Sequence, residues 1–242
     1  MTEFEKDKLI NQEYRELVHR FTSLSDFVYE AIRDAIVSGR IAPGARLKQL
    51  DLARELGVSQ QTVREALKRL VNSSLVMQQP NKGFTATYLP LQKQAEIYKM
   101  RAVLERFAAE EAVPGITEKD LQRMEEILPY TAAVDESLSN EVIRNMNHEF
   151  HLIPARATKN ELLNRMLDQV WDLTLTYFYT TEEAKRKDAA KNDLKEHKQF
   201  LVALKAREGE RAGQIIFEHI TSVRGHWLEY VGSDEKKLPP RE

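Results

Sequence analysis

Four residues in the C-terminal half of this chain have the types and spacing of metal ligands. Asn147 and His151 are four positions apart, so a helix places them on one face. His197 and His219 belong to two later apolar segments separated near Gly209, and an antiparallel helix pair could bring them face to face. Three imidazoles and one amide oxygen suit zinc, nickel or a similar divalent cation. The alternative is that each histidine is an ordinary core residue.

The same histidines leave two functional classes open. A metal site with a free coordination position could activate water, as in a metal-dependent hydrolase. However, the sequence shows no well-placed general base for that reaction. His148, Glu149 and His151 do not have the spacing of a zinc-protease motif, so we interpret His148 as a surface or outer-sphere residue. The other class is a binding protein whose metal anchors a ligand.

Arg101 is the candidate for binding an anionic ligand. A guanidinium can hold a carboxylate through two parallel hydrogen bonds, and Arg101 lies on an otherwise apolar helical face. The alternative is a surface ion pair with Glu105, one helical turn further on. Three aromatic residues on a later segment are interpreted as core or dimer packing: Trp171, Tyr177 and Tyr179.

The elements that must position these residues are all helical. From Leu91 onward, apolar residues recur at helical spacing in six segments, and no strand pattern occurs. Pro114-Gly115 ends the first segment, and Thr117 is a suitable N-cap for the second. The pattern predicts an antiparallel bundle of about six helices, a fold in which ligand sites lie between facing helices.

The N-terminal half has the pattern of a helix-turn-helix. Gly57 can close a first helix in the left-handed conformation, and Ser59 can cap a second. The second helix has an apolar stripe made of Val63, Ala66, Leu67 and Leu70. Its other face carries side chains that can reach bases and phosphates in a major groove: Gln60, Gln61, Thr62, Arg64 and Lys68. An ordinary amphipathic helix after a tight turn is the alternative.

A predicted β-hairpin follows this motif directly. Residues 75–78 and 84–88 read as strands, and a turn-rich loop containing Pro80 connects them. A hairpin in this position is the wing of a winged helix-turn-helix. Four further residues complete the candidate DNA contacts: Ser59 at the start of the second helix, Arg46 before the wing, and Lys82 and Gly83 within the wing.

Residues 22–88 resemble the winged helix-turn-helix of the GntR family of bacterial transcription regulators. The resemblance is carried by Gly39-Arg40-Ile41-x-Pro43-Gly44-x-x-Leu47, Leu52-Ala53-x-x-Leu56-Gly57-Val58-Ser59, Val63-Arg64-Glu65-Ala66-Leu67-x-x-Leu70 and Gly83-Phe84. It implies binding to double-stranded operator DNA. The family usually has arginine at Gln60 and often has glycine at Ser74. The first difference changes base preference, because glutamine pairs best with adenine and arginine with guanine.

The C-terminal half resembles the FCD domain, the ligand-binding domain of the FadR-like branch of that family. The matching motifs are Arg101-x-x-Leu104-Glu105-x-x-Ala108-Ala109, Asn147-x-x-Phe150-His151 with Asn160, Glu196-His197 with Ala203-Leu204, and His219. In metal-binding members the ligands resemble Asp-x-x-x-His, His and His, and the arginine faces the ligand cavity. Asn147 takes the place of the aspartate and brings no negative charge, so weaker metal binding is implied.

Composition is that of a globular protein with one large or two modest domains. The 242 residues are 42% hydrophobic and 31% charged, and cysteine is absent. No apolar run is long enough to span a membrane, and the N-terminus lacks the apolar core of a signal peptide, so we expect a cytoplasmic protein. The net charge of −2 divides unevenly, because residues 24–90 have nine Lys/Arg and six Asp/Glu, which is +3 and leaves −5 elsewhere. The basic part coincides with the expected DNA reader.

Together these patterns predict a mainly α-helical chain: an N-terminal winged helix-turn-helix followed by an all-helical bundle. We expect an arm of unassigned function at 1–22, the DNA-binding domain at 23–89, an effector-binding and dimerisation domain at 90–231 and a tail at 232–242. The predicted function is a homodimeric, metabolite-responsive regulator that is not an enzyme. The resemblance implies a small carboxylate effector and, as the family's more common mode, repression. An architectural DNA-binding protein fits poorly, because it would leave the large bundle unexplained.

Overall fold

The computed structural model describes residues 23–80, 82–132, 138–176 and 186–232. The expected arm at 1–22, the tail beyond residue 232, and Tyr177 and Tyr179 lie outside these described residues. The chain divides between Leu89 and Pro90 into two compact units. No helix among the described residues is both long and apolar enough to cross a membrane.

The described part of the N-terminal unit, residues 23–80 and 82–89, contains three helices and a small sheet. Its elements are α1 (Leu24–Val37), β1 (Arg46–Leu47), α2 (Gln49–Leu56), α3 (Gln60–Asn72), β2 (Val76–Gln79) and β3 (Gly83–Ala86). Gly57 ends α2 with φ 67°, and the Ser59 hydroxyl accepts a hydrogen bond from the Thr62 amide at the start of α3. Both capping predictions are confirmed, and the two caps set the sharp turn between α2 and α3.

The apolar stripe of α3 forms the centre of this unit's core. Val63, Ala66, Leu67 and Leu70 are completely buried, and α3 packs against both α1 and α2. An exposed ion pair, Arg69 to Asp26 at 2.7 Å, also joins α3 to α1. Since one face of α3 is committed to the core, its polar face is turned to solvent.

The wing has three strands, one more than expected. The order is β1-β3-β2 and both pairings are antiparallel, with Leu47 opposite Phe84 and Val76 opposite Ala86. Sequence analysis predicted the hairpin but not β1, because a strand of two residues cannot show an alternating pattern. β1 joins the hairpin to the segment that precedes α2.

The C-terminal unit is a helical bundle, as predicted. Its described elements are α4 (Leu91–Ala112), α5 (Glu118–Ile127), a 3-10 turn (Leu128–Tyr130), α6 (Asn140–Ala157), α7 (Glu161–Leu175), α8 (Arg186–Lys205) and α9 (Gly209–Gly232). Thr117 caps α5 in a reciprocal capping box with Asp120. The long helix α4 packs against α6, α7 and α9. The shared core includes Phe150 of α6 and Phe200 of α8, whose rings meet edge to face at 6.1 Å.

Gly115 allows the end of α4 to approach the end of α6. A Cβ atom at Gly115 would overlap the backbone carbonyl oxygen of Ala157. A backbone atom cannot move aside cheaply, so Gly115→Ala should lower the free energy of unfolding by about 1–3 kcal/mol. Thermal unfolding checks this, with Glu111→Ala on the exposed side of α4 as the control. Equal melting temperatures for the two variants would contradict this packing.

Candidate functional site

The three predicted histidine ligands meet inside the bundle. His151 lies on α6, His197 on α8 and His219 on α9, and each side chain is at least 96% buried. The Nε2 atom of His197 is 3.1 Å from the Nε2 atom of His151 and 3.1 Å from that of His219. Three helices therefore direct the same ring nitrogen of each histidine to one point.

The outer nitrogen of each ring has its own hydrogen-bond acceptor. Nδ1 of His151 lies 2.5 Å from Oε2 of Glu105, and Nδ1 of His219 lies 2.8 Å from Oε2 of Glu196. Nδ1 of His197 lies 2.8 Å from the hydroxyl of Thr131. A carboxylate can only accept, so His151 and His219 each donate from Nδ1.

The hydroxyl of Thr131 also acts as an acceptor. Its one proton is donated to the carbonyl oxygen of Leu128 at 2.9 Å. The proton between Thr131 and His197 must therefore come from Nδ1 of the imidazole. In its neutral form, each of the three rings then carries its proton on Nδ1 and a lone pair on Nε2.

Three lone pairs that converge in this way form a ready site for a cation. Neutral imidazoles with Nδ1 protonated have no proton left for the short Nε2 contacts, so the contacts are repulsive without a positive charge between them. Nitrogen atoms bound to one zinc at about 2.0–2.1 Å are spaced roughly as these are. The histidine cluster, His151, His197 and His219, could hold a metal ion.

Burial favours the neutral form of two of these imidazoles, His151 and His197. It lowers the pKa of His151 to about 4, although the Glu105 carboxylate opposes this shift. Burial, together with the neighbouring His219, holds the pKa of His197 well below 6.5. Neutral rings are the form that binds metals, so both ligands are available at neutral pH.

Arg101 lies beside this cluster and is already paired. Its Nε atom donates to Oε1 of Glu105 at 2.6 Å, and both side chains are buried. Its guanidinium carbon lies 3.7 Å from the centre of the Trp171 ring. The predicted alternative of an Arg101–Glu105 pair is therefore formed, but inside the bundle and not at the surface.

The pair also changes the ionisation of Glu105. Burial alone would raise the pKa of this carboxyl, but the charge of Arg101 and the contact with His151 outweigh it and lower the pKa to about 2. Glu105 is thus a buried anion with one oxygen on Arg101 and the other on His151.

Asn147 and Trp171 both have an unsatisfied polar atom. Asn147 lies one turn before His151 on α6, and its Oδ1 atom is buried with no hydrogen-bond partner among the described residues. Such an atom is costly to bury and is available to a ligand. Trp171 packs its ring 5.2 Å from that of His151, and its buried Nε1 likewise has no partner in the described part of the chain. Trp171 is thus a core residue, as predicted, that also borders the histidine cluster.

Sequence reasoning missed the three residues that hold the rings. In the sequence, helical spacing pairs Glu105 with Arg101, and Glu196 stands next to His197, but neither pattern indicates a contact with a histidine ring. No sequence pattern indicates Thr131 as a partner of His197. The two residues are 66 positions apart, and their contact depends on the tertiary structure.

The candidate DNA contacts lie on the exposed parts of the N-terminal unit. Gln60, Gln61, Arg64 and Lys68 are exposed on α3, and Arg46, Lys82 and Gly83 are exposed on the wing strands and their connecting turn. Two of the α3 side chains have partners within the unit. The Thr62 hydroxyl lies 2.8 Å from the Ser59 hydroxyl, and Gln61 donates to Glu65 at 3.0 Å. Among the α3 cations, Arg64 is exposed and lies one turn after Gln60 and one turn before Lys68.

Both units match families of known proteins. The pattern described as "Bacterial regulatory proteins, gntR family" matches residues 24–85, and the FCD domain pattern matches residues 96–222. The chain belongs to the GntR family of regulators with an FCD domain. This confirms the resemblance found from the sequence motifs and the predicted fold class.

Relatives of this GntR-family chain cover most of its length. The HTH-type transcriptional regulator McbR of Escherichia coli is 30% identical over 79% of this chain and 86% of McbR. The uncharacterized HTH-type transcriptional regulator YdhC of Bacillus subtilis is 29% identical over 86% of this chain and 92% of YdhC. The solved structure of E. coli McbR/YncC matches with a TM-score of 0.74 at 27% identity, covering 86% of this chain and 100% of that one. These findings support DNA-binding regulation and give no support to a hydrolase.

Proposed function

We propose that this GntR-family protein is a metabolite-controlled repressor that binds a palindrome-like operator as a homodimer in the cytoplasm. The exposed polar face of α3 would enter the major groove, while Arg46 and Lys82 on the wing would contact the phosphate backbone. A dimer suits this function, because it presents two recognition helices to two half-sites.

We propose that the bundle holds a divalent metal, zinc or nickel, at the histidine cluster. The observation that supports this most strongly is the convergence of three buried Nε2 atoms whose outer nitrogens are all committed as donors. The orphaned amide oxygen of Asn147 would serve as a fourth ligand. Bound there, the ion would supply a Lewis-acidic centre for an oxygen of the effector.

The surroundings of the histidine cluster favour a small carboxylate as the effector. All four proposed ligands are neutral, so a bound divalent cation keeps its charge and attracts an anion. Arg101 adds a second cation beside His151, with its Nη2 atom 3.5 Å from that ring. We propose that one effector oxygen binds at the metal and that the carboxylate also contacts the edge of Arg101 not used by Glu105.

Effector binding would control DNA binding only through a difference in affinity. A ligand shifts a two-state equilibrium when it binds one state more tightly, and the coupling between two sites is reciprocal. An effector that releases the repressor must therefore bind the DNA-free form more tightly, and operator DNA must weaken effector binding by the same factor.

A paired binding experiment tests this function. In zinc-loaded protein, a carboxylate found by thermal-shift screening should raise the melting temperature and weaken operator binding in a gel-shift assay. Arg101→Ala should remove both responses and leave operator binding without effector nearly unchanged. Arg106→Ala, which removes an exposed arginine from the same helix, is the control.

Two results would oppose the proposal. An effector that still acts on the Arg101 variant would assign Arg101 a purely structural role. A protein that shifts no promoter fragment, with or without carboxylates, would contradict operator control itself.

A further inference from the structure

We propose that Glu105 is a positioning residue that decides which nitrogen of His151 is free to bind the metal. This inference rests on the proposed metal site and goes beyond it, because Glu105 is not itself a ligand. Among the described acceptors around the cluster, it is the carboxylate buried together with its own cation, Arg101.

The contacts form a relay of three side chains. Nε of Arg101 donates to Oε1 of Glu105 at 2.6 Å, and Oε2 of Glu105 accepts from Nδ1 of His151 at 2.5 Å. The far side of the His151 ring then presents Nε2 to His197. Arg101 and Glu105 are one turn apart on α4, whereas His151 lies on α6, so α4 sets the proton position of a ligand on another helix.

An amide cannot replace the carboxylate of Glu105, because both carboxylate oxygens accept hydrogen bonds whereas an amide has one acceptor and one donor group. A guanidinium has donors and no acceptor, so Arg101 needs an acceptor opposite it. In a Glu105→Gln variant, the amide oxygen must face Arg101, because the opposite orientation would place two donors against each other. The amide NH2 group then faces Nδ1 of His151, which must become an acceptor. The ring proton moves to Nε2 and points into the histidine cluster.

The other two rings depend less on a single charged neighbour. His197 donates to the neutral hydroxyl of Thr131. His219 donates to Glu196, whose side chain is 32% exposed, so water can replace part of that contact. Glu105 is only 2% exposed and has no such substitute, which is why the effect should be concentrated at His151.

Nitrogen NMR of the metal-free protein tests the proton position directly. In long-range 1H–15N spectra, His151 of the unmodified protein should show a protonated Nδ1 and an unprotonated Nε2, assigned by comparison with His151→Gln. In Glu105→Gln the two nitrogens should exchange character. An Nε2-protonated His151 in the unmodified protein, or unchanged spectra in Glu105→Gln, would overturn the proposal.

Zinc titration provides the second readout. Glu105→Gln should weaken zinc binding about 10- to 100-fold, the range measured for outer partners of histidine ligands. Glu110→Gln is the matched control, because Arg106 and Glu110 have the same spacing on the same helix but are 45% and 29% exposed. Equal zinc affinity in the two variants would overturn the relay. If the unmodified protein binds no zinc, the metal site fails, while the NMR result still decides the role of Glu105.

Discussion

Replacing His197 with alanine should abolish tight metal binding. His197 is the central member of the histidine cluster, with its Nε2 atom 3.1 Å from those of both other rings. Its loss leaves two imidazoles and an amide oxygen. Zinc affinity should therefore fall by more than the roughly 100-fold seen when a residue hydrogen-bonded to a metal ligand is replaced. Elemental analysis of the purified protein and calorimetric zinc titration measure this. The unmodified protein should retain a divalent ion in each chain.

Two further variants make that experiment specific. His148→Ala removes a histidine from the same helix as His151, but its ring packs on Trp171 at 5.0 Å and it is not part of the histidine cluster. It should keep the metal. Asn147→Asp should bind zinc more tightly than the unmodified protein, because it adds a negative charge at the orphaned oxygen. A metal content that His197→Ala leaves unchanged would exclude the site.

Replacing Arg64 with alanine should reduce specific operator binding by about 1–3 kcal/mol, or about 5- to 150-fold. Arg64 is exposed on the side of α3 opposite the buried stripe, where a side chain can reach base edges in the major groove. Gel-shift or fluorescence titration with the operator, at one fixed salt concentration, measures the change.

The control variant loses the same single positive charge, but from the C-terminal unit. Arg165→Ala removes an exposed arginine of α7 and should leave operator affinity unchanged. Gln60→Arg should alter the preferred base near the start of α3 and not simply strengthen binding. If Arg64→Ala and Arg165→Ala bind the operator equally well, α3 does not read the DNA.

The secondary structure followed from local residue patterns. The left-handed Gly57 and the N-caps Ser59 and Thr117 are decided by residues within one turn of each other, and all three are found as predicted. The six bundle helices were predicted for the same reason, because burial of one face repeats every three to four residues. The two-residue strand β1 was missed, since its pairing with β3 depends on a distant segment.

The sequence by itself determined the family, the two kinds of unit and the identity of the histidine cluster. Residue types that bind metals, and their spacing along a helix, can be recognised within a short stretch of sequence, as with Asn147 and His151. Only the tertiary structure decided where protons and charges lie. The orientation of each ring depends on a partner from another element, namely Glu105 for His151, Thr131 for His197 and Glu196 for His219. Such contacts join residues 23 to 66 positions apart, so a local sequence pattern cannot show them. Burial strengthens these hydrogen bonds, and burial is itself a result of the tertiary structure.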